Sequence, residues 1–306
     1  MNHDNCTRNK PTASGHQPVL LSEVLDAMQI SPSDRILDGT FGAGGYTRAL
    51  LAKGANVLAT DLDPTAADRA ATISEEYPNQ LTFSQGNFAE VDKHLAVAKW
   101  DALDGYVIDL GISSLQLDDP ERGLAYRLDG PLDMRLGDTG QTAADILNGH
   151  DEKELADIFY YYGDETKSRQ LAKLISIQRR KQKYVTTGDF LKTVEELHPH
   201  AKRGQRHPAQ RLFQALRMAV NAELDSLEQA LPAAANRLAK DGVLAVVSFH
   251  SAEDRLVKVF MRDAVKSGGF EFIHKKPVGP SDAEVAENPR ARSGKLRAIR
   301  KLEAAA

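Results

Sequence analysis

The sequence predicts a doubly wound α/β fold whose sheet is interrupted by a helical insertion and then completed. Three observations carry this expectation. Short apolar strands alternate with helical patterns over roughly the first 110 residues. The alternation then stops and resumes only near Val243. A glycine-rich turn follows directly on the first strand.

The elements follow in order. Residues 35–38 (RILD) form a strand ending in an acid, and 46–52 read as helix. Residues 56–61 (NVLATD) are a second strand, followed by an alanine-rich helix over 64–76. Residues 81–84 and 105–109 are the third and fourth strands. Short apolar strands closing in Asp or Gly and separated by helices indicate βαβ units in a parallel, Rossmann-like sheet.

From Gly111 to about Arg206 only helical patterns occur, over 152–162, 168–182 and 189–198. Pro208 then opens one long amphipathic helix with Leu212, Leu216, Val220, Leu224, Leu227 and Leu231 on a single stripe. Strands resume at 243–249, 270–274 and 296–302. The expected organisation is a disordered tail (1–15), a first part of the α/β domain (16–112), a helical insertion (113–206) and a second part (207–306).

At 306 residues, 42% hydrophobic and 27% charged, the composition is that of a soluble globular chain. The longest apolar run, 243–247, has the length of one strand, so no membrane span is expected. Residues 1–15 are polar and do not read as a signal peptide. The single cysteine, Cys6, lies in that tail, which excludes a disulfide framework and a thiolate metal site and fits a cytoplasmic location.

The net charge of −4 hides a strong segregation. Residues 101–165 hold sixteen acids and four bases, whereas 167–217 hold thirteen bases and three acids. A second basic cluster spans 290–301 without an acid. Two such blocks point toward a polyanionic partner, RNA or DNA, rather than merely solvated helix faces.

The strongest local signal is Asp38-Gly39-Thr40-Phe41-Gly42-Ala43-Gly44-Gly45. A strand ending in an acid, a glycine turn and a helix start form a nucleotide-cofactor cradle, because glycines let the backbone approach a ligand. Asp61, ending the next strand, can accept both hydroxyls of a ribose. Nicotinamide enzymes and methyltransferases share this geometry. Two details favour S-adenosylmethionine: the loop lacks the third glycine of G-x-G-x-x-G, and Asp38 would repel a pyrophosphate but suit an ammonium and a sulfonium. Gly86-Asn87-Phe88 after strand three can hold an adenine, although a core role for Phe88 is as natural. The segment 109–114 (DLGISS) after strand four is where the transferred methyl should meet its acceptor.

These motifs resemble the RsmH (MraW) family of 16S ribosomal RNA cytosine-N4 methyltransferases. The resemblance rests on Gly15-His16-Gln17-Pro18-Val19-Leu20-Leu21, the 38–45 loop, and 109–114 followed by Gln116-Leu117-Asp118-Asp119. It extends through Glu121-Arg122-Gly123, Asp129-Gly130-Pro131-Leu132-Asp133-Met134-Arg135, Phe213-Gln214-Ala215-Leu216-Arg217, the 248–255 segment and Asn288-Pro289-Arg290-Ala291-Arg292-Ser293. It implies that Gly44, Gly45 and Tyr46 bind the methionine part of the donor and Asp61 its ribose. Phe88 would flank the adenine, with Asp109 and Gln116 closing the pocket. Where Tyr46 and Leu115 stand, the family often has His and Pro.

The resemblance further implies a 16S ribosomal RNA substrate within the small ribosomal subunit, with the basic insertion gripping phosphates. Tyr160, Tyr161, Tyr162 and Tyr184 are candidate stacking surfaces, although their helical placement favours packing. Asp109 is the first candidate to orient the amine or accept its proton, with Ser113 and His250 behind it. The residues usual in amino-methyltransferases, Asp/Asn/Ser-Pro-Pro-Tyr/Phe, are absent at this position. For His250, a hydrogen-bonded role at a strand end is the simpler expectation. Attack at C5 of the ring would need a cysteine adduct, and Cys6 is in the tail. His198, His200 and His207 have prolines between them and no thiolates nearby, so no metal is expected. Two other readings stay open: a nicotinamide-dependent oxidoreductase, and a non-catalytic RNA-binding assembly factor on the same fold.

Overall fold

The computed structural model describes residues 18–199 and 207–303. The expectations placed on the 1–15 tail, Cys6, the 15–17 motif and His200 lie outside the described residues.

Among the described residues, seven strands form one sheet in the order β3-β2-β1-β4-β5-β7-β6. They are β1 (Arg35–Asp38), β2 (Asn56–Asp61), β3 (Leu81–Gln85), β4 (Leu103–Asp109), β5 (Leu238–Ser248), β6 (Phe270–Phe272) and β7 (Lys295–Lys301). Strands β1 to β5 run parallel, and β7 lies antiparallel to both β5 and β6. The crossovers are α2 (Gly45–Ala52), α3 (Ala66–Glu76) and α4 (Val91–Ala98), with α1 (Leu21–Met28) ahead of β1.

Side-chain alternation explains the two layers. Val57, Ala59, Val107, Ala245 and Val247 face one core with Val24, Leu50 and Ala70. Their chain neighbours Leu58, Tyr106, Ile108, Leu244 and Val246 face the other, with Leu95, Leu231 and Val257. A period of two with both faces covered is what a buried parallel strand requires. The fifth strand begins at Leu238, earlier than its apolar run predicts. Asp241, at φ 64°, lets the chain bend before Val243 pairs with Gly105.

Between β4 and β5 the described residues include the helices α5 (Ser114–Leu117), α6 (Ala143–Gly149), α7 (Glu152–Tyr161), α8 (Ser168–Gln178), α9 (Thr187–Leu197), α10 (Pro208–Val220) and α11 (Glu223–Arg237). These helices do not share one core. Phe159, Leu171, Phe190, Leu212, Phe213 and Leu216 belong to a separate helical cluster, whereas Leu227 and Leu231 of α11 pack on the sheet. The packing of the helical unit therefore runs past residue 206 into α10.

The single helix expected after Pro208 is in fact two. Asn221 donates to Met134 O and accepts from Leu136 N, both at 2.8 Å, and Ala222 turns left-handed at φ 47°. The apolar stripe is shared between two cores on either side of that break. The tyrosines divide as well: Tyr184 is buried and Tyr162 packs on the helical core, while Tyr160 and Tyr161 are exposed. After β5 come α12 (Ser251–Lys266) and α13 (Asp282–Glu287).

Arg122 ties the helical unit to the sheet domain. It donates at 2.8 Å to Asp63, which is 1% exposed, and at 3.1 Å to Leu136 O. Burial alone would raise the Asp63 carboxyl, but hydrogen bonds from Thr65, Gln116 and Arg122 outweigh it and hold it below the usual range. Arg122→Ala leaves a buried carboxylate short of its cation, and should lower stability by about 2–4 kcal/mol in urea unfolding. An unchanged midpoint would mean that Thr65 and Gln116 suffice for Asp63.

Candidate functional site

Strand order reverses between β1 and β4, whose crossovers leave on opposite sides, and in open α/β sheets ligands bind at the carboxyl ends there. A cleft of about 980 Å³ occupies this position. Gly42, Gly45 and Tyr46 line it from the glycine loop, Asp61 and Phe88 from the ends of β2 and β3. Asp109, Ser113 and Gln116 follow from β4 and its loop, and His250 from β5. Asp38 and Gly44 do not line it.

Asp38 instead shapes the loop from behind. It is fully buried, accepting from Thr40 N at 3.2 Å and from the Thr47 hydroxyl at 2.7 Å. Burial lifts its carboxyl from 3.8 to about 6. Its carboxyl thereby scaffolds the glycine loop. Between pH 3.8 and about 6 the native state holds more protons than the unfolded chain at this group. Stability accordingly falls as pH rises through that window, by about 3 kcal/mol from this carboxyl alone, and does not recover above it. The difference between wild-type and Asp38→Asn unfolding curves should show that decline, and a flat difference would contradict it.

Gly44 is likewise structural, sitting at φ 80° where an added Cβ would lie 2.5 Å from Ile73 Cδ1. Gly42 is closer to the chemistry. Its N–H donates to Asp61 Oδ2 at 2.7 Å, and Asp63 N donates to Oδ1 at 2.9 Å. One lone pair on each Asp61 oxygen is thus occupied and one remains. Burial raises the Asp61 carboxyl despite these bonds.

Several candidate side chains have their polar atoms already engaged. The Tyr46 hydroxyl donates to the Val19 carbonyl, so the residue is a buried wall. Ser113 Oγ accepts from Gln116 N at 3.2 Å, while Gln116 accepts from Ser113 N and donates to Asp63 at 3.1 Å. The 113–116 loop is thereby locked to the segment after β2. His250 Nδ1 accepts from Ala252 N, capping α12. Its Nε2 lies 3.0 Å from Glu253 Oε1 without hydrogen-bond alignment. Phe88 offers a partly exposed ring while Tyr106 holds its carbonyl at 2.6 Å.

Asp109, like His250 at Nε2, keeps a polar atom unengaged. The residue keeps some exposure toward the cleft, yet its Oδ1 is buried with no hydrogen-bond partner among the described residues. Thr40 Oγ1 fixes its backbone N–H at 2.7 Å. Burial, then the neighbouring Asp38 and Glu253 carboxylates, push its carboxyl well above the usual range. A buried oxygen left without a partner is costly unless a ligand satisfies it. A glycine-floored cleft, Asp61 with lone pairs remaining, a flat aromatic wall and this oxygen together fit a nucleoside carrying a cationic group. Among the described residues no cluster of His, Cys, Asp or Glu is arranged for a metal.

The cleft is also lined by residues the sequence does not single out as a pair. Arg217 at the end of α10 donates to both Glu223 oxygens, at 2.7 and 2.8 Å. Both line the cleft, as does the buried Glu253, whose Oε2 accepts from Phe249 N at 3.0 Å. Their six-residue separation across a helix break leaves no periodic signal. Of the pair, only Arg217 lies in a motif that the family resemblance covers.

Comparison with known proteins shows the family. Residues 13–302 match the MraW methylase family. The ribosomal RNA small subunit methyltransferase H of Caulobacter sp. (strain K31) is 45% identical over 94% of this chain and 93% of its own. That of Roseobacter denitrificans is 46% identical over 96% and 92%. Among solved structures, an rRNA methylase from Streptococcus thermophilus matches 94% of this chain and 98% of its own, at 11% identity and TM-score 0.43. That looser likeness adds nothing to the sheet order already described.

Proposed function

Because the chain belongs to the MraW methylase family, we propose that it moves a methyl group from S-adenosylmethionine to N4 of a cytosine in 16S ribosomal RNA, within the small subunit, in the cytoplasm. The observation that carries this reading is the unpartnered Asp109 oxygen in a glycine-floored cleft at the switch point. Its relatives are named as small-subunit ribosomal RNA methyltransferases, and the base and atom follow from the family resemblance.

The donor, when bound, supplies an electrophilic methyl on a sulfonium centre. Asp61 would take the ribose hydroxyls on its remaining lone pairs, and Phe88 would flank the adenine. Gly42 leaves room for the backbone to approach, Gly45 packs against Pro18, and Tyr46 walls the methionine end. Asp109 is proposed to accept hydrogen bonds at the reacting end. A cation beside it would favour its ionised form.

The exocyclic amine of cytosine is a poor nucleophile because its lone pair is delocalised into the ring. Alignment and hydrogen-bond acceptors for its N–H groups are what a protein can supply. The loop after β4 is suited to this, since the Gln116 to Asp63 lock holds it rigid. A paired cytosine would have to be flipped out to enter. The basic residues of the helical unit, with the exposed Tyr160 and Tyr161, are proposed to hold RNA outside the cleft.

The deciding experiment incubates the protein with labelled S-adenosylmethionine and small subunits from cells lacking it, then resolves methylated nucleosides by mass spectrometry. Label in N4-methylcytidine supports donor, base and atom together. Label in another nucleoside overturns the base. Donor binding with no transfer to any particle favours a non-catalytic assembly factor.

A further inference from the structure

Helix α10 divides its surface by chemistry. Ala209, Leu212, Phe213 and Leu216 enter the helical core. Gln210, Gln214 and Arg217, with Asn221 just past the helix end, face the cleft instead. Spacings of four, three and four put these four residues on one stripe. Within that stripe, Asn221 is committed to the backbone at 134 and 136, and Arg217 to Glu223. The two glutamine amides have no hydrogen-bond partner in the structure among the described residues.

The Arg217–Glu223 pair is unusual for a cleft wall. The two side chains are 11% and 12% exposed, and the guanidinium engages both carboxylate oxygens. An Arg fork on a carboxylate fixes its orientation, and each oxygen keeps a free lone pair. A carboxylate so held offers acceptors only. An amide in its place could flip to present either a donor or an acceptor.

We infer that Glu223, locked by Arg217, is the specificity-determining residue that selects an amino-bearing pyrimidine over a keto one. The inference rests on the cytosine reading above. Cytosine presents N4–H as a donor, which a carboxylate accepts; uracil presents O4, an acceptor, which it repels. Gln214, four residues from the neighbouring Gln210 and one turn from Arg217, has an amide without a partner among the described residues, placed to meet the adjacent ring nitrogen or carbonyl. The pair accordingly acts by choosing the base, while Asp109, which lines the same cleft, is assigned to the reacting end.

The test measures binding of cytidine, uridine and S-adenosylhomocysteine to the full chain, by ligand-detected NMR and calorimetry. Wild type should prefer cytidine to uridine by roughly tenfold, as one good acceptor contact implies. Glu223→Gln should bring that ratio close to one and leave S-adenosylhomocysteine affinity unchanged. Because the single change leaves Arg217 without its anion, the double variant Arg217→Met with Glu223→Gln is measured beside it, and should lose the same preference. A preference that survives in the folded variants overturns the inference alone. Loss of S-adenosylhomocysteine affinity with the ratio intact assigns Glu223 to the donor's adenine amine, and also overturns it. A wild-type protein with no preference for cytidine overturns the cytosine reading, and the inference with it.

Discussion

Asp61→Ala is expected to weaken S-adenosylmethionine binding by roughly 10²- to 10⁴-fold, the loss of two hydrogen bonds to a charged group at about 1.5–3 kcal/mol each. The expectation follows from the lone-pair count. Gly42 N and Asp63 N each occupy one position on the carboxylate, two positions remain, and the residue lines the cleft. Alanine also orphans both backbone donors, so the glycine loop loses the group that ties it to β2. Asp61→Asn separates the two effects, because its amide oxygen can still accept from one of those N–H groups but its NH₂ cannot accept from a hydroxyl. Calorimetric titration of the donor decides the matter. If Asp61→Ala binds within about threefold of wild type in a folded protein, Asp61 is a loop anchor only.

The Asp61 argument was open to sequence reasoning because it depends on chain order. An acid at the end of β2 must lie beside the turn after β1 when the two strands are parallel neighbours. The same logic brought Phe88, Asp109 and the 109–116 loop to one edge. Residues whose role depends on side-chain direction were less legible. Asp38 and Asp61 both end strands, yet Asp38 points behind the loop to Thr47 while Asp61 points into the cleft. Strand ends carry no mark of which way a carboxylate turns.

Helix breaks were harder still. The periodicity from Leu212 to Leu231 continues across residue 221 without interruption, since both halves need an apolar stripe. The break is set by Asn221 reaching to residues 134 and 136, a contact 85 residues away in sequence. The Arg217–Glu223 pair exists only because of that break. Asp63 was invisible for a related reason: its partners Gln116 and Arg122 come from a different unit, and nothing local distinguishes it from a turn aspartate.

Asp109→Asn is expected to reduce methyl transfer by roughly 10²- to 10³-fold, the range seen when one positioned acceptor or stabilising group is removed. It should at the same time stabilise the ligand-free protein at neutral and higher pH. The native carboxyl is raised well above its unfolded value by burial and by Asp38 and Glu253. The native state therefore resists the ionised form, and stability falls as pH climbs above the unfolded value toward the raised native one. An amide of the same shape never ionises, so its stability advantage over wild type should be absent near pH 4 and grow as pH rises. Opposite signs in the two measurements are what a group held for chemistry against the needs of the fold must give. A variant that keeps its rate would remove Asp109 from the transfer. A variant that loses stability at every pH would show that its carboxyl serves the fold, and the unpartnered oxygen would then need no ligand to explain it.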